Sequence, residues 1–213
     1  ATPRQVGRKA IARCVSDLAA MLAKPLAAVA ALHLPRGFGA DAAQEIVAGM
    51  QEMAEQIGLA IVGGDIAAYD GPLAVSVTAL GSAPPRRLAL RSGARKGDLV
   101  CVTGELGGAI LGHHLAFVPR VEEARWLARH RTVHAMIDVS DGLLLDAWRL
   151  ASESRVGVVI DPVVLPISPA AHELARTSGR TAADHALSDG EDYELLFTVP
   201  RRQIKPLIDK GPP

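Results

Sequence analysis

The sequence is short of aromatic side chains, with three Phe, two Tyr and two Trp among 213 residues. That leaves little to stack against unpaired bases, and 23 Lys and Arg balance 23 Asp and Glu. Neither a nucleic-acid-binding surface nor attraction to acidic membranes is expected of such a chain. Cysteine is almost absent. Cys14 and Cys101 stand far apart, with no CxxC and no His/Cys cluster, which argues against a zinc site or a disulfide framework. Each reads as a small buried apolar residue. No apolar run approaches a membrane span and no signal peptide opens the chain, so a cytoplasmic protein is expected. The nucleotide-binding fingerprints GxxxxGK[ST] and GxGxxG after a strand are missing too. Gly104-Glu105-Leu106-Gly107-Gly108 has the shape of a phosphate loop without its chemistry.

What is present is Ala, Val, Leu and Gly in quantity, which suits an α/β protein with helices packed closely on sheet. Ile11, Val15, Leu18 and Leu22 form one stripe of a helix predicted over residues 5–21, with Asp17 inside the pattern. Residues 26–34 read as a buried strand, with His33 a structural histidine. Asp41 is expected to cap a second helix that Gly58 closes. Residues 59–62 form a short strand running into Gly63-Gly64-Asp65, where paired glycines permit either a tight turn or close approach to a ligand. Residues 73–80 alternate as a strand with one polar face. Pro84-Pro85-Arg86-Arg87 looks like a linker, and the basic stretch 91–98 is where the domain boundary is expected, giving domains 1–95 and 96–213. Further strands are predicted at 99–103, 156–160 and 195–199, and helices from about Ala109, after Pro119 and over 170–176.

The chain is organised around Met136-Ile137-Asp138-Val139-Ser140-Asp141-Gly142-Leu143. A short apolar strand enters a polar turn, and Leu143, Ala147 and Leu150 then repeat at helical spacing. Ser140 or Asp141 is suited to cap that helix, but two aspartates and a serine exceed what a cap needs, and sheet proteins place ligands at such strand ends. A second acidic cluster, Ser188-Asp189-Gly190-Glu191-Asp192-Tyr193-Glu194, leads into the last strand. Its four carboxylates in six residues repel one another unless cations or donors offset them. Carboxylates stand near strand ends at Asp65, Asp138, Asp141 and the pair Glu191/Asp192, with Asp17 a fifth candidate, and offer oxygen ligands without histidine or cysteine; Asp17, Asp65, Asp138 and Asp141 are expected on one cleft wall. That donor set suits Mg²⁺ shared with substrate phosphates, with Arg91 as countercharge. The residues point to Mg²⁺-dependent phosphoryl transfer on a scaffold that is not a P-loop.

Six motifs then share one order: Ser16-Asp17-Leu18-Ala19-Ala20-Met21, Val62-Gly63-Gly64-Asp65, Arg91-Ser92-Gly93-Ala94, Val102-Thr103-Gly104, residues 136–143, and Asp189-Gly190-Glu191-Asp192-Tyr193-Glu194-Leu195-Leu196-Phe197. In that order the chain resembles the thiamine-monophosphate kinases, relatives of aminoimidazole ribonucleotide synthetase. The resemblance implies a two-domain fold, with an N-terminal α/β domain that pairs across a homodimer into a β-barrel flanked by helices, and a C-terminal α/β domain. It implies ATP and Mg²⁺, with thiamine monophosphate as phosphate acceptor. Asp17, Asp65, Asp138 and Asp141 are implied as metal ligands, and Gly64, Asp65, Arg91 and Ser140 as ATP contacts. Glu191 and Asp192 are implied as acceptor contacts, with no covalent intermediate. The chain departs from the family at Cys14 (usually Asn), Leu22 (usually Gly) and Ile66-Ala67 (usually two threonines). It also begins after the family's first acidic motif and ends before its final segment, so an incomplete chain is expected. A sister synthetase with another acceptor, and a non-catalytic nucleotide-binding or dimerising module, are the alternatives.

Overall fold

The structure, a computed structural model, describes residues 1–84 and 88–211. Of the expected linker only Pro84 falls among them; Pro85, Arg86 and Arg87 lie outside the described residues.

Helix α1 (Pro3–Ala20) starts with a capping box, in which the Thr2 side chain accepts from the Gln5 N–H and Gln5 reaches back to Thr2, with Pro3 in the first turn. Its apolar stripe, Ile11, Val15 and Ala19, is fully buried. Leu22, which follows, has φ of 57°, a left-handed conformation that glycine adopts without steric cost, so the expected departure from glycine falls where a side chain is strained. Strand β1 (Lys24–Pro35) then takes Pro25 into its first residues. Helix α2 (Ala40–Ile57) is capped by Gly39 and not by Asp41, which sits in the first turn where its charge complements the helix N-terminus. Gly58 closes it in the left-handed conformation, as predicted.

The first correction concerns β2 (Ala60–Tyr69). Gly63, Gly64 and Asp65 do not turn the chain but continue the strand, parallel to β1, with a register shift between Ala28 and Val29. Gly63 and Gly64 pair with Val29 and Ala30, and the irregularity falls on Val62, which has no partner in the ladder. Strand β3 (Ala74–Ser82) completes a three-stranded sheet of order β2-β1-β3. Helices α1 and α2 cover one of its faces through Ala28, Ala30 and Leu32.

The second sheet has order β4-β6-β5 and is antiparallel, from β4 (Asp98–Val102), β5 (Ala135–Asp138) and β6 (Leu195–Pro200). The predicted helix near Ala109 is a 3₁₀ turn, Ala109–Leu111, followed by the single-turn α3 (His113–Ala116) and then α4 (Val121–His130). Helix α5 (Leu143–Ser154) follows the central turn, and α6 (Pro169–Ser178), the unpredicted α7 (Ala182–Ser188) and α8 (Ile204–Asp209) complete the chain. Residues 156–160, predicted as a strand, belong to neither sheet. Val156, Val158 and Ile160 still pack on the core of the second half while Val159 is 91% exposed, so the alternation is there without a ladder partner.

Helix α1 is the spine that joins the two sheets. One core runs from Ile11, Val15 and Met50 through Met136, Tyr193, Leu195 and Phe197, across residue 95. Two close approaches fix α1 against α2. A Cβ on Gly7 would lie 1.8 Å from the Ile46 carbonyl oxygen, and one on Gly49 would lie 2.0 Å from that of Arg4.

Candidate active site

Strand β5 ends at Asp138 and β6 begins at Leu195, and their pairing continues past both ends. Val139 N–H donates to the Glu194 carbonyl, Tyr193 N–H to that of Val139, and Glu191 N–H to that of Ser140, each at 2.8 Å. The two motifs singled out in the sequence are therefore zipped together, residues 138–142 against 190–194. A Cβ on Gly142, whose φ is 104°, would meet the Ser188 and Asp189 carbonyl oxygens at 2.9 and 3.0 Å. Only glycine fits that crossing.

Neither Ser140 nor Asp141 caps α5. The N-cap is Gly142, with no side-chain bond. The turn is instead tied to the helix by Asp146, in its first turn: its Oδ2 accepts from the backbone N–H of Ser140 at 3.0 Å and of Asp141 at 2.9 Å. Arg149 partners it at 2.8 Å and also bonds Asp141. Asp146 is fully buried, and sequence reasoning missed it. Its spacing after the turn is the signal that was available.

Freed from capping, Asp138 points elsewhere. It is 4% exposed, and its Oδ2 accepts from the Ser16 hydroxyl of α1 at 2.7 Å. Burial pushes its pKa up to about 6; the Ser16 bond opposes this, and the charges of Asp17 and Asp146 add to it. Asp17 is likewise raised by burial, with Arg91 and Arg13 acting in the opposite direction. Asp17, Asp138 and Arg91 share a cavity of about 490 Å³, together with Ser92 and Glu153. Here sequence-predicted carboxylates and a predicted countercharge line the same space.

The other predicted residues lie around it or apart. Asp141 sits at the turn, its side chain 52% exposed and paired to Arg149. Gly64 and Asp65 are exposed in β2, where Asp65 lies opposite Ala31 and Ala31 opposite Ser76. Cross-strand partners share a face, so Asp65 belongs with Val29 and Ser76 on the face that α1 and α2 leave bare. It does not line the cavity holding Asp17 and Asp138.

The acidic cluster is not a solvated loop. Glu194, 2% exposed, receives Arg120 Nε at 2.7 Å and the Thr103 hydroxyl at 2.6 Å. Asp189 is held by His185 at 2.8 Å and by the Gly108 N–H at 3.2 Å. The Asp192 carboxylate turns inward, 2% exposed, and takes the Gly107 N–H at 3.0 Å. Burial pushes its pKa up to about 7, offset by the Gly107 bond and reinforced by Glu194 and Asp189. So the glycine-rich loop that resembled a phosphate cradle spends its N–H groups on protein carboxylates. Of the two predicted acceptor contacts, Glu191 keeps a half-exposed carboxylate, and it meets Lys9 of α1 at 2.7 Å. A larger apolar groove of about 870 Å³ along β4 is lined by Thr103 and Arg120 but by none of the site carboxylates expected from the sequence.

Among the described residues no three Asp, Glu, His or Cys side chains gather to hold an ion by themselves. The donor set nonetheless fits a hard cation: Asp138 and Asp17 are oxygen ligands whose mutual repulsion such a cation would relieve, leaving positions for ligand oxygens and water.

The comparisons with known proteins bear on family and fold. Residues 1–83 match the family described as AIR synthase related protein, N-terminal domain. A thiamine-monophosphate kinase of Rhodopirellula baltica is 48% identical over 91% of this chain and 61% of its own length. One from Pyrococcus abyssi is 36% identical over 97% of this chain and 69% of its own length. The chain belongs to the thiamine-monophosphate kinase family. A solved family structure, AaThiL complexed with AMPPCP and TMP, superposes with a TM-score of 0.89 at 30% identity, over 97% of this chain and 72% of that one. The chain thus spans less than two thirds of the Rhodopirellula kinase, and its fold is that of the aminoimidazole ribonucleotide synthetase-related proteins. Among the described residues no helix is long and apolar enough to cross a membrane.

Proposed function

We propose that the protein phosphorylates thiamine monophosphate to thiamine diphosphate with ATP, in a cytoplasmic homodimer. The observation that carries the reading is the cavity shared by Asp17, Asp138 and Arg91 beside the zipped motifs 138–142 and 190–194. A solved relative bound to AMPPCP and TMP supports the choice of substrates. Domain 1–95 would contribute α1 and the sheet β2-β1-β3, and domain 96–213 the turn and the acidic loop.

The acceptor phosphate attacks the γ-phosphoryl group in line and ADP departs, so catalysis is positioning and charge neutralisation. Asp17 and Asp138, with Asp141 in the adjoining turn, are the residues that would hold Mg²⁺; Asp65, on the bare sheet face, would join such a site only from a second copy. When bound, it neutralises the phosphate oxygens. Arg91 at the cavity mouth and the Ser140 turn take the nucleotide phosphates, with Gly64 a further contact. Glu191, the half-exposed carboxylate, faces the acceptor.

Asp138→Asn tests this. Asn keeps the size of the side chain and an acceptor for the Ser16 hydroxyl, while the charge facing the cavity is lost. The fold should persist, Mg·ATP affinity should fall by about tenfold or more, and high Mg²⁺ should recover part of it. Titration with ATP and with thiamine monophosphate, each with Mg²⁺, is the companion measurement, since the kinase alone binds both. Unchanged Mg·ATP affinity in Asp138→Asn would remove the metal role, and failure to bind thiamine monophosphate would favour a sister synthetase.

A further inference from the structure

Lys9 was not among the residues that the sequence motifs singled out. It stands on α1 two turns before Asp17, so Lys9, Arg13 and Asp17 recur at helical spacing along one face. Its Nζ lies 2.7 Å from Glu191 Oε1, with the lysine side chain 19% exposed. Among the described residues this is the single ion pair between α1 and the second half of the chain.

Exposed pairs usually contribute little. This one acts on a loop whose backbone is out of the ordinary. Glu191 has φ of 68° and Tyr193 φ of 53°, both in the left-handed region and neither a glycine. Such conformations persist where surrounding contacts over-determine them, and they cluster at functional sites. Here those contacts come mostly from the second half. The Glu191 and Tyr193 N–H groups bond the 138–142 turn, Asp192 bonds Gly107, and the Tyr193 ring stacks on Phe117 with centroids 4.0 Å apart. They hold the loop from one side; none of them ties it to α1 or aims the Glu191 side chain, and the Lys9 pair does both.

We propose that Lys9 is a positioning residue: its ammonium group draws the Glu191 carboxylate toward α1 and holds the acceptor-facing loop in its strained shape. The catalytic side of this rests on the kinase reading above; the tether does not. Three variants test it: Lys9→Gln, Lys9→Arg and Glu191→Gln. In Lys9→Gln the KM for thiamine monophosphate should rise by about tenfold or more, with kcat and the KM for ATP changed much less. Lys9→Arg should restore most of the loss, since it keeps the charge. The double variant Lys9→Gln/Glu191→Gln should be no worse than Glu191→Gln alone, because both substitutions break one contact.

Amide hydrogen exchange of the same proteins reads the loop whatever it binds. Exchange at Glu191 and Tyr193 should accelerate in Lys9→Gln and return toward wild type in Lys9→Arg. Additive losses in the double variant would assign Lys9 a direct contact with substrate and overturn the proposal, as would unaltered exchange in Lys9→Gln. A wild type without thiamine-monophosphate kinase activity would overturn the functional reading alone, and the exchange data would still decide the tether.

Discussion

Asp192 and Glu191 are neighbours in one motif, and only the structure separates them. A run of carboxylates cannot tell from its spacing which member turns inward, because that depends on donors 74 to 85 residues away, Arg120 for Glu194 and Gly107 for Asp192. Asp138 and Asp141 show the same limit. The sequence marked both as more than a cap, but the group that holds their turn, Asp146, emerges only from its bonds to Ser140 and Asp141. Burial of Asp192 has a consequence for pH. Its folded pKa, about 7, lies above the ordinary carboxylate value of 3.8. Between those values the native state holds a proton that the unfolded chain has lost, so this residue makes stability fall as pH rises through that window and level off above it. At about 1.4 kcal/mol per pKa unit, the effect is on the order of a few kcal/mol. Asp192→Asn keeps an acceptor for Gly107 and removes the titration. Thermal melts at pH 5, 6, 7 and 8 should show the variant gaining on wild type as pH rises. A gap that stays constant would mean Asp192 is ionised throughout.

Among the elements, the helices α1 and α2 and strands β1, β3, β4 and β6 were legible because a single period, 3.6 or 2, governs each. The failures have local causes. The Gly63-Gly64 pair reads as a turn to any rule based on residue type, yet the parallel ladder to β1 carries it straight through. Residues 156–160 alternate properly, but a strand needs a neighbour and these have none among the described residues. The closeness of α1 to α2 could not be read at all, since Gly7 and Gly49 are 42 positions apart and each looks like a weak spot in its own helix. Their role is the crossing. Gly7→Ala would normally improve a helix by roughly 1 kcal/mol. Here the added methyl would sit 1.8 Å from the Ile46 carbonyl, against backbone that cannot step aside. The substitution should instead destabilise by about 1–3 kcal/mol, the range for overpacking, as measured by urea unfolding. A stabilised Gly7→Ala would show that the two helices can part without loss.

At the scale of the whole molecule, the sheet β2-β1-β3 is covered on one face and bare on the other, with both outer strands unpaired. On the bare side Val29 is 45% and Leu80 65% exposed, and Val62, at the register shift, is 67% exposed. An isolated three-stranded sheet with apolar side chains in water and open edges invites a partner. A second copy meeting it face to face is the simplest closed solution. Asp65 shares that bare face, which gives dimerisation a bearing on chemistry. If two copies join there, the Asp65 carboxylate lies at the interface, where it can serve a site that Asp17 and Asp138 of one copy do not complete. Light scattering at micromolar concentration should therefore give twice the 22.3 kDa chain mass. Leu80→Lys, a charge placed on an exposed apolar side chain of the bare face and outside the Asp17–Asp138 cavity, should shift the protein toward monomer and lower Mg·ATP affinity with it. Asp65→Asn should lower affinity while leaving the dimer intact. A monomeric wild type, or a Leu80→Lys monomer that binds Mg·ATP as well as the dimer does, would confine the site to a single copy and leave Asp65 without a part in it.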